Sequence, residues 1–272
     1  VGSVVDIGPG SPTGVIAGIN AKFPTRYRDA IFLCDWTFAT MYAMHLKPDG
    51  SSYKGKIDTF VTNTNGSLAL TDVDIGPDGH MYFCVGGRKG QSYLYRVRYV
   101  GNESTELSPL DTSSEHFQAR KIRHMLESFH GALNAKAVET AWPYLSNNDY
   151  HLRYAARIAI EWQDPKTWAD KAYGENNDLT AIHSLLGLAR TDHSGSKQPS
   201  IDRLLKVDFQ KLDKTGKLAL LRTYSVIMSR AGNSSDAQTD AIGKQLDPHY
   251  PALDDNLNEE LCRVLCYLQH PS

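Results

Sequence analysis

The chain has 272 residues, 41% of them hydrophobic and 22% charged, and a formal net charge of -2. That is the composition of a globular protein, with no apolar run near the ~18 residues a membrane-spanning helix needs. Charge is balanced on both sides, 10 Lys+Arg against 10 Asp+Glu in residues 1–110 and 19 against 21 in the remainder, which excludes the basic excess that binding to nucleic acid demands.

The first hundred residues read as β-structure. The segments GVIAGI, AIFLCDW, TMYAMHL and KIDTFVT, then LTDVDIG, HMYFCV and SYLYRVRYV, are rich in β-branched and aromatic residues and bounded by Gly, Pro, Asp and Asn. Alternation in YLYRVRY sends Tyr93, Tyr95, Val97 and Tyr99 to one face and Leu94, Arg96 and Arg98 to the other. Four short antiparallel strands in about 40–45 residues make one propeller blade. The spacing predicts a partial β-propeller of about two blades. Blade one has strands at 14–19, 30–36, 39–47 and 56–62. Blade two has strands at 70–76, 80–86 and 92–100, its outer strand missing or supplied elsewhere.

The aspartates of TDVDIGPDGHMYF raise the alternative of a calcium loop. Counted from Asp72, that loop would have Gly76 at its fifth position, Pro77 where the turn glycine belongs, and Phe83 in place of the bidentate Glu. A hairpin turn explains GPDG better, as it does KPDG at 47–50. Pro sets φ for the first turn position and Gly accepts the last. No metal site is read here.

GNESTELSPLDTSSEHF, Gly101 to Phe117, is Ser/Thr-rich and aperiodic. It divides the chain into a β domain at 1–103, a linker at 104–117 and a third part at 118–272. There the apolar period becomes helical, in KAVETAWPYL, YHLRYAARIAIEW, LTAIHSLLGLAR, GKLALLRTYSVIMSR and NEELCRVLCYLQ. In the second of these Leu152, Ala155, Ala156, Ala159 and Ile160 form one stripe, Asn148 or Asp149 caps the start, and QDP ends it. Helices in succession without intervening strands predict hairpins stacked as an α-solenoid. Cys34 and Cys84 read as small buried hydrophobes in strands. Cys262 and Cys266 fit neither C-x-x-C nor C-x-x-C-H, and packing is the reading for them too.

SPTGV, FPTRYRDAIFLCDW, MYAMHLKPDGSSY, LTDVDIGPDGHMYF and GGRKGQSYLYRVRYVG resemble the last blades of the glucose/sorbosone dehydrogenase-like β-propellers. The version most like this chain is that of large secreted bacterial proteins of the membrane-bound-dehydrogenase and PVC-type haem-binding kind. In those, HEAT/armadillo-like helices follow the propeller, often with a cytochrome c domain after them. AARIAIEWQDPKTWADKA and NEELCRVLCYLQHP fit that helical part. The resemblance implies a periplasmic or secreted location. It also implies sugar or alcohol oxidation, with electrons passed to a c-type haem outside this chain. Two blades do not close a ring, which takes at least about four. The expectation is therefore a piece of a longer protein, inactive alone, whose first partner is the rest of its own propeller.

In a propeller the start of the first strand of a blade and the loop after its second strand share the ligand-bearing face. That gathers Thr71 and Asp72, Asp35 with Trp36 and Thr37, and the GGRKGQ loop around Arg88. Asp35, Trp36, Asp72 and Arg88 are the candidates for binding substrate or cofactor. Asp35 or Asp72 would hold a sugar hydroxyl or orient another residue, Trp36 would stack on a ring, and Arg88 would pair with an anion. The alternative is that each satisfies neighbouring loop backbone.

Sugar quinoproteins of the family carry an Arg-x-Arg before this Asp, where the present chain has Ala69-Leu70-Thr71, and their cofactor-binding Lys would fall near Thr37. Both departures argue against pyrroloquinoline quinone, and no cofactor is assigned to this chain. His45 and His80 lie away from the inferred pocket and are poor substitutes for the family's catalytic His, which belongs to an earlier blade.

In the helical part, Arg120, Arg123, His124 and His130 share a helix, but histidines six positions apart do not suit the i, i+4 spacing of a metal pair. Arg153 and Arg157, at i and i+4, make a solvated face, an inter-repeat hydrogen-bonding row or a grip for a protein partner. Two functions stand open. One is the dehydrogenase-like reading. The other is a non-catalytic ligand-binding propeller carrying a helical interaction scaffold.

Overall fold

Period-two alternation builds the amino-terminal part. In the computed structural model, which describes residues 3–64, 68–87, 90–191, 195–231 and 235–269, β1 (Pro12–Ala17), β2 (Ala30–Asp35), β3 (Thr40–Asp49) and β4 (Ser52–Thr62) form an antiparallel sheet in that order. A second antiparallel sheet holds β5 (Leu70–Ile75), β6 (Met81–Val85) and β7 (Tyr93–Val97), again in chain order. Each expected strand is present, shifted at its ends by a few residues. A short helix, α1 (Thr25–Arg28), precedes β2.

Phe32 and Cys34 of β2 and Met41 and Ala43 of β3 share one core with Leu70, Val73, Met81 and Phe83 of the second sheet. Tyr95 stacks on Phe83 with ring centroids 5.1 Å apart, and the pairing Phe83↔Tyr95 puts Tyr93, Tyr95 and Val97 on the Phe83 side as the alternation requires. The same alternation corrects the reading of Cys84. Met81, Phe83 and Val85 take the inward positions, so Cys84 falls on the outer face and is exposed.

The two sheets meet along β1 and β5. Thr13 Oγ1 donates to the Leu70 carbonyl at 2.8 Å, and a Cβ at Gly14 would lie 2.9 Å from the Asp72 Cα, so the backbones approach only because residue 14 is glycine. Of the two Pro-Asp-Gly segments, 77–79 is a turn as expected, with Gly79 at φ 79°. Pro48 and Asp49 are instead still in β3, paired with Tyr53 and Ser52, and the turn is Gly50-Ser51, with Gly50 at φ 54°. Asp78 serves its turn, accepting from His80 N at 3.0 Å and from the Tyr82 hydroxyl at 2.8 Å.

The chain forms two compact units, Val1–Arg120 and Lys121–Ser272, that divide within α2 (Glu115–Glu127). The Ser/Thr-rich segment is tied to the first of them at its start. Thr25 N donates to Ser104 O at 3.1 Å, and Thr25 Oγ1 donates to Glu106 O at 2.7 Å.

The second unit is helical. It contains α3 (Ala137–Ala141), α4 (Tyr150–Glu161), α5 (Ala169–Tyr173), α6 (Asp178–Arg190), α7 (Lys197–Leu204), α8 (Lys214–Ala231), α9 (Asp236–Leu246) and α10 (Asp255–Leu268). Neighbours in sequence pack as hairpins, α3 with α4, α5 with α6, α7 with α8 and α9 with α10; α4, α6, α8 and α10 then pack on one another in turn. The stripe Leu152, Ala155, Ala156, Ala159 and Ile160 is buried throughout. Asp149, not Asn148, caps α4, accepting from His151 N at 2.8 Å and Leu152 N at 3.2 Å. On α10 the inward stripe is Leu261, Val264, Leu265 and Leu268. Cys262 and Cys266 therefore sit on its flank rather than in the core, their sulfurs 3.8 Å apart and Cys266 exposed.

Candidate functional site

The loop from Asp35 to Thr40 carries the most built-up feature of the β unit. Asp35 ends β2 fully buried, and its Oδ1 accepts from Ser11 N at 3.2 Å, Thr37 N at 2.8 Å and Phe38 N at 3.2 Å. One carboxylate oxygen thus fixes the loop and clamps the segment before β1 to it. Oδ2 is buried without a partner among the described residues and lies against Gly10, where a Cβ would come within 2.2 Å of it. Ala39 adopts a left-handed conformation, φ 52°, in the same turn, a strained choice for a residue with a Cβ. The result is a rigid mount for Trp36.

Trp36 is 42% exposed, and its indole N–H donates to Gly86 O at 3.1 Å. That bond joins the loop after β2 to the loop after β6, so the two strand-end loops expected to share a face do so. Beside it opens a groove of ≈ 690 Å³ lined by Trp36, Ala69, Val85, Gly86, Gly87, Gly90 and Gln91. Its described wall is one indole ring, two aliphatic side chains and three glycines, with a single amide as polar side chain. No acid or base is among those lining residues.

The other candidates are placed differently. Asp72 lies on β5 against Gly14, away from the groove lining, and its Oδ1 accepts from Val73 N at 2.9 Å. It is close enough to Cys34 to act on it: burial first, and the Asp72 charge second, push the Cys34 thiol up to about 11. Asp35 and Asp72 each bond to nearby backbone. Arg88 lies outside the described residues. His45 pairs with Ala30 at the end of β2 opposite Asp35 and contacts Asp58, Nε2 to Oδ2 3.2 Å. His80 follows the turn after β5, at the other end of β6 from Gly86.

In the helical unit, His124 pairs with Glu127 at 3.0 Å and Arg123 with the same carboxylate group at 3.1 Å. Arg120, on the same helix but the last residue of the first unit, is buried. His130 bonds the Ala155 carbonyl at 2.9 Å. The histidines are thus engaged separately. Arg153 Nη1 donates to Asn147 O at 2.5 Å and Asn148 O at 3.0 Å, while Arg157 pairs with Glu161. Sequence reasoning stopped at these two arginines. It missed Arg190 and Arg222, although Arg157, Arg190 and Arg222 recur 33 (157 to 190) and 32 (190 to 222) residues apart, a repeat-length signal in the sequence itself.

No family model, curated protein or solved structure matches the chain.

Proposed function

We propose that the β unit is two consecutive blades of a glucose/sorbosone dehydrogenase-like propeller, that the helical unit is a HEAT/armadillo-like array, and that the function of this chain is to bind a sugar-like ring at Trp36. What supports the blade reading is the chain-order antiparallel pairing in both sheets and their contact along β1 and β5. Val15 and Leu94, 61% and 68% exposed, leave apolar surface on the outer faces for further blades to cover. What supports a solenoid is the serial packing of four helical hairpins.

The observation that carries the binding reading is the groove itself, an indole fixed by Gly86 in a groove it shares with Gly87 and Gly90, with no proton-transfer group among its described lining residues. Aromatic faces recognise the apolar side of a sugar ring without any charged group. Calorimetric titration with mono- and disaccharides tests this. Trp36→Ala should weaken binding about tenfold, roughly 1.4 kcal/mol for one aromatic contact. Absence of saccharide binding by the wild-type chain, or equal binding by the variant, would refute the reading.

The dehydrogenase reading rests on the order of the blade segments and on buried Asp35. It places the proton acceptor and a c-type haem beyond these 272 residues. On either reading this chain alone gives no sugar-dependent dye reduction.

A further inference from the structure

The helical unit has its own cavity, unrelated to the Trp36 groove. It measures ≈ 370 Å³ and lies across α4, α6 and α8, with Arg153, Arg157, His183, Arg190 and Arg222 in its wall. That volume is in the range of small-molecule sites. Leu186, Leu218, Ala219 and Val226 supply apolar surface, and Tyr150 and Tyr154 line it beside the arginines. No Asp or Glu is among its described lining residues.

Charge accounting sets this cavity apart in a chain of net charge -2. Glu161 pairs with both Arg157 and Arg190, so one carboxylate is shared by two guanidinium groups. Arg153 is nine-tenths buried; its bonds go to two backbone carbonyls, and its Nε is buried with no hydrogen-bond partner among the described residues. Arg222 is exposed and makes no ion pair or hydrogen bond among the described residues. Among the described residues these four arginines have one paired carboxylate between them. His183 adds no charge at neutral pH, because burial and then Arg153 and Arg157 push it down to about 4.

The arginines are also pre-positioned. Arg157 lies over the Tyr154 ring at 5.2 Å and Arg153 over Tyr150 at 6.0 Å, while the two tyrosines stack at 6.2 Å. A guanidinium stacked on an aromatic face donates through its in-plane N–H edges, part of which Arg153 and Arg157 already use on the Asn147 and Asn148 carbonyls and on Glu161. Leaving such a cluster uncompensated in a partly desolvated cavity is costly unless a counter-charge enters it.

The geometry points to a binding site for a small organic polyanion, one bearing two or more phosphate or carboxylate groups on a compact skeleton, held across α4, α6 and α8. A long polyanion is disfavoured by the net negative charge of the chain and by the small volume.

The test is calorimetric titration of the full chain at low salt with pyrophosphate, with citrate and with a poly-glutamate peptide. Binding of pyrophosphate or citrate is expected, the tighter of the two telling phosphate from carboxylate. Arg222→Glu should weaken it at least about tenfold, and Arg222→Gln less. Arg263→Glu, on α10 outside the cavity lining, should leave it unchanged. Arg222 is exposed and unpaired, so its variants should fold, as circular dichroism would verify. Three results overturn the proposal: no binding of either small anion by folded wild type, binding of the peptide alone, or equal weakening by Arg222→Glu and Arg263→Glu.

Discussion

At the scale of single residues, the environment of His183 has a thermodynamic consequence. Its folded-state value is pushed from 6.5 down to about 4 by burial, then by Arg153 and Arg157. Between those two values the unfolded chain binds a proton there and the folded chain does not, so stability increases with pH across that interval. The contribution is complete above pH 6.5 and is lost as pH falls to about 4, at a cost of up to about 3 kcal/mol. Urea unfolding at neutral pH and near pH 4 checks this: the wild type should lose more stability than His183→Gln over the same interval. A variant as acid-sensitive as the wild type would show that His183 does not titrate in this way. None of this was legible in LTAIHSLLGLAR, because the groups acting on His183 stand on another helix about thirty residues earlier. Asp35 makes the same point. Its place at a strand end was readable, but its three backbone donors come from both sides of a loop closure spanning residues 11–38.

At the scale of elements, the cap of α4 is a separable contribution. Asp149 satisfies two of the free N–H groups of its first turn. Asp149→Ala should lower stability by about 1 kcal/mol, with Asp149→Asn keeping most of it; equal unfolding midpoints for wild type and Asp149→Ala would discount the cap. Elements with a strong period were legible from sequence. The stripe of α4 and the alternation of β6 and β7 each require one burial pattern, and the structure has it. Helices α5, α7 and α9 were not read. DAQTDAIGKQL of α9 has few apolar positions and an internal Gly243, and KQPSIDRL of α7 contains Pro199. Their place is set by packing on α6, α8 and α10 rather than by their own pattern. Cys84 and Cys266 were misplaced for a related reason, since a buried strand or helix still turns one face outward.

At the scale of the whole molecule, the two apolar cores share no residue. One runs from Ala21 to Val85, the other from Leu126 to Leu268. A chain of residues 112–272, which keeps α2 entire, should therefore fold alone, giving helical circular dichroism and a cooperative melt. A gradual, non-cooperative loss of signal would mean that the helices depend on the β unit. The division into two parts was legible because the apolar period changes near the Ser/Thr-rich segment. The Trp36 groove was half legible: strand order predicted which loops meet, while the glycine wall depends on how close two sheets stand. The helical cavity has one more implication, since its positive groups are guanidinium rather than ammonium. A guanidinium is planar and offers its N–H donors as a fixed fork that matches two oxygens of one carboxylate or phosphate at once. The guest would then be chosen by the shape of its oxyanions as well as by their charge.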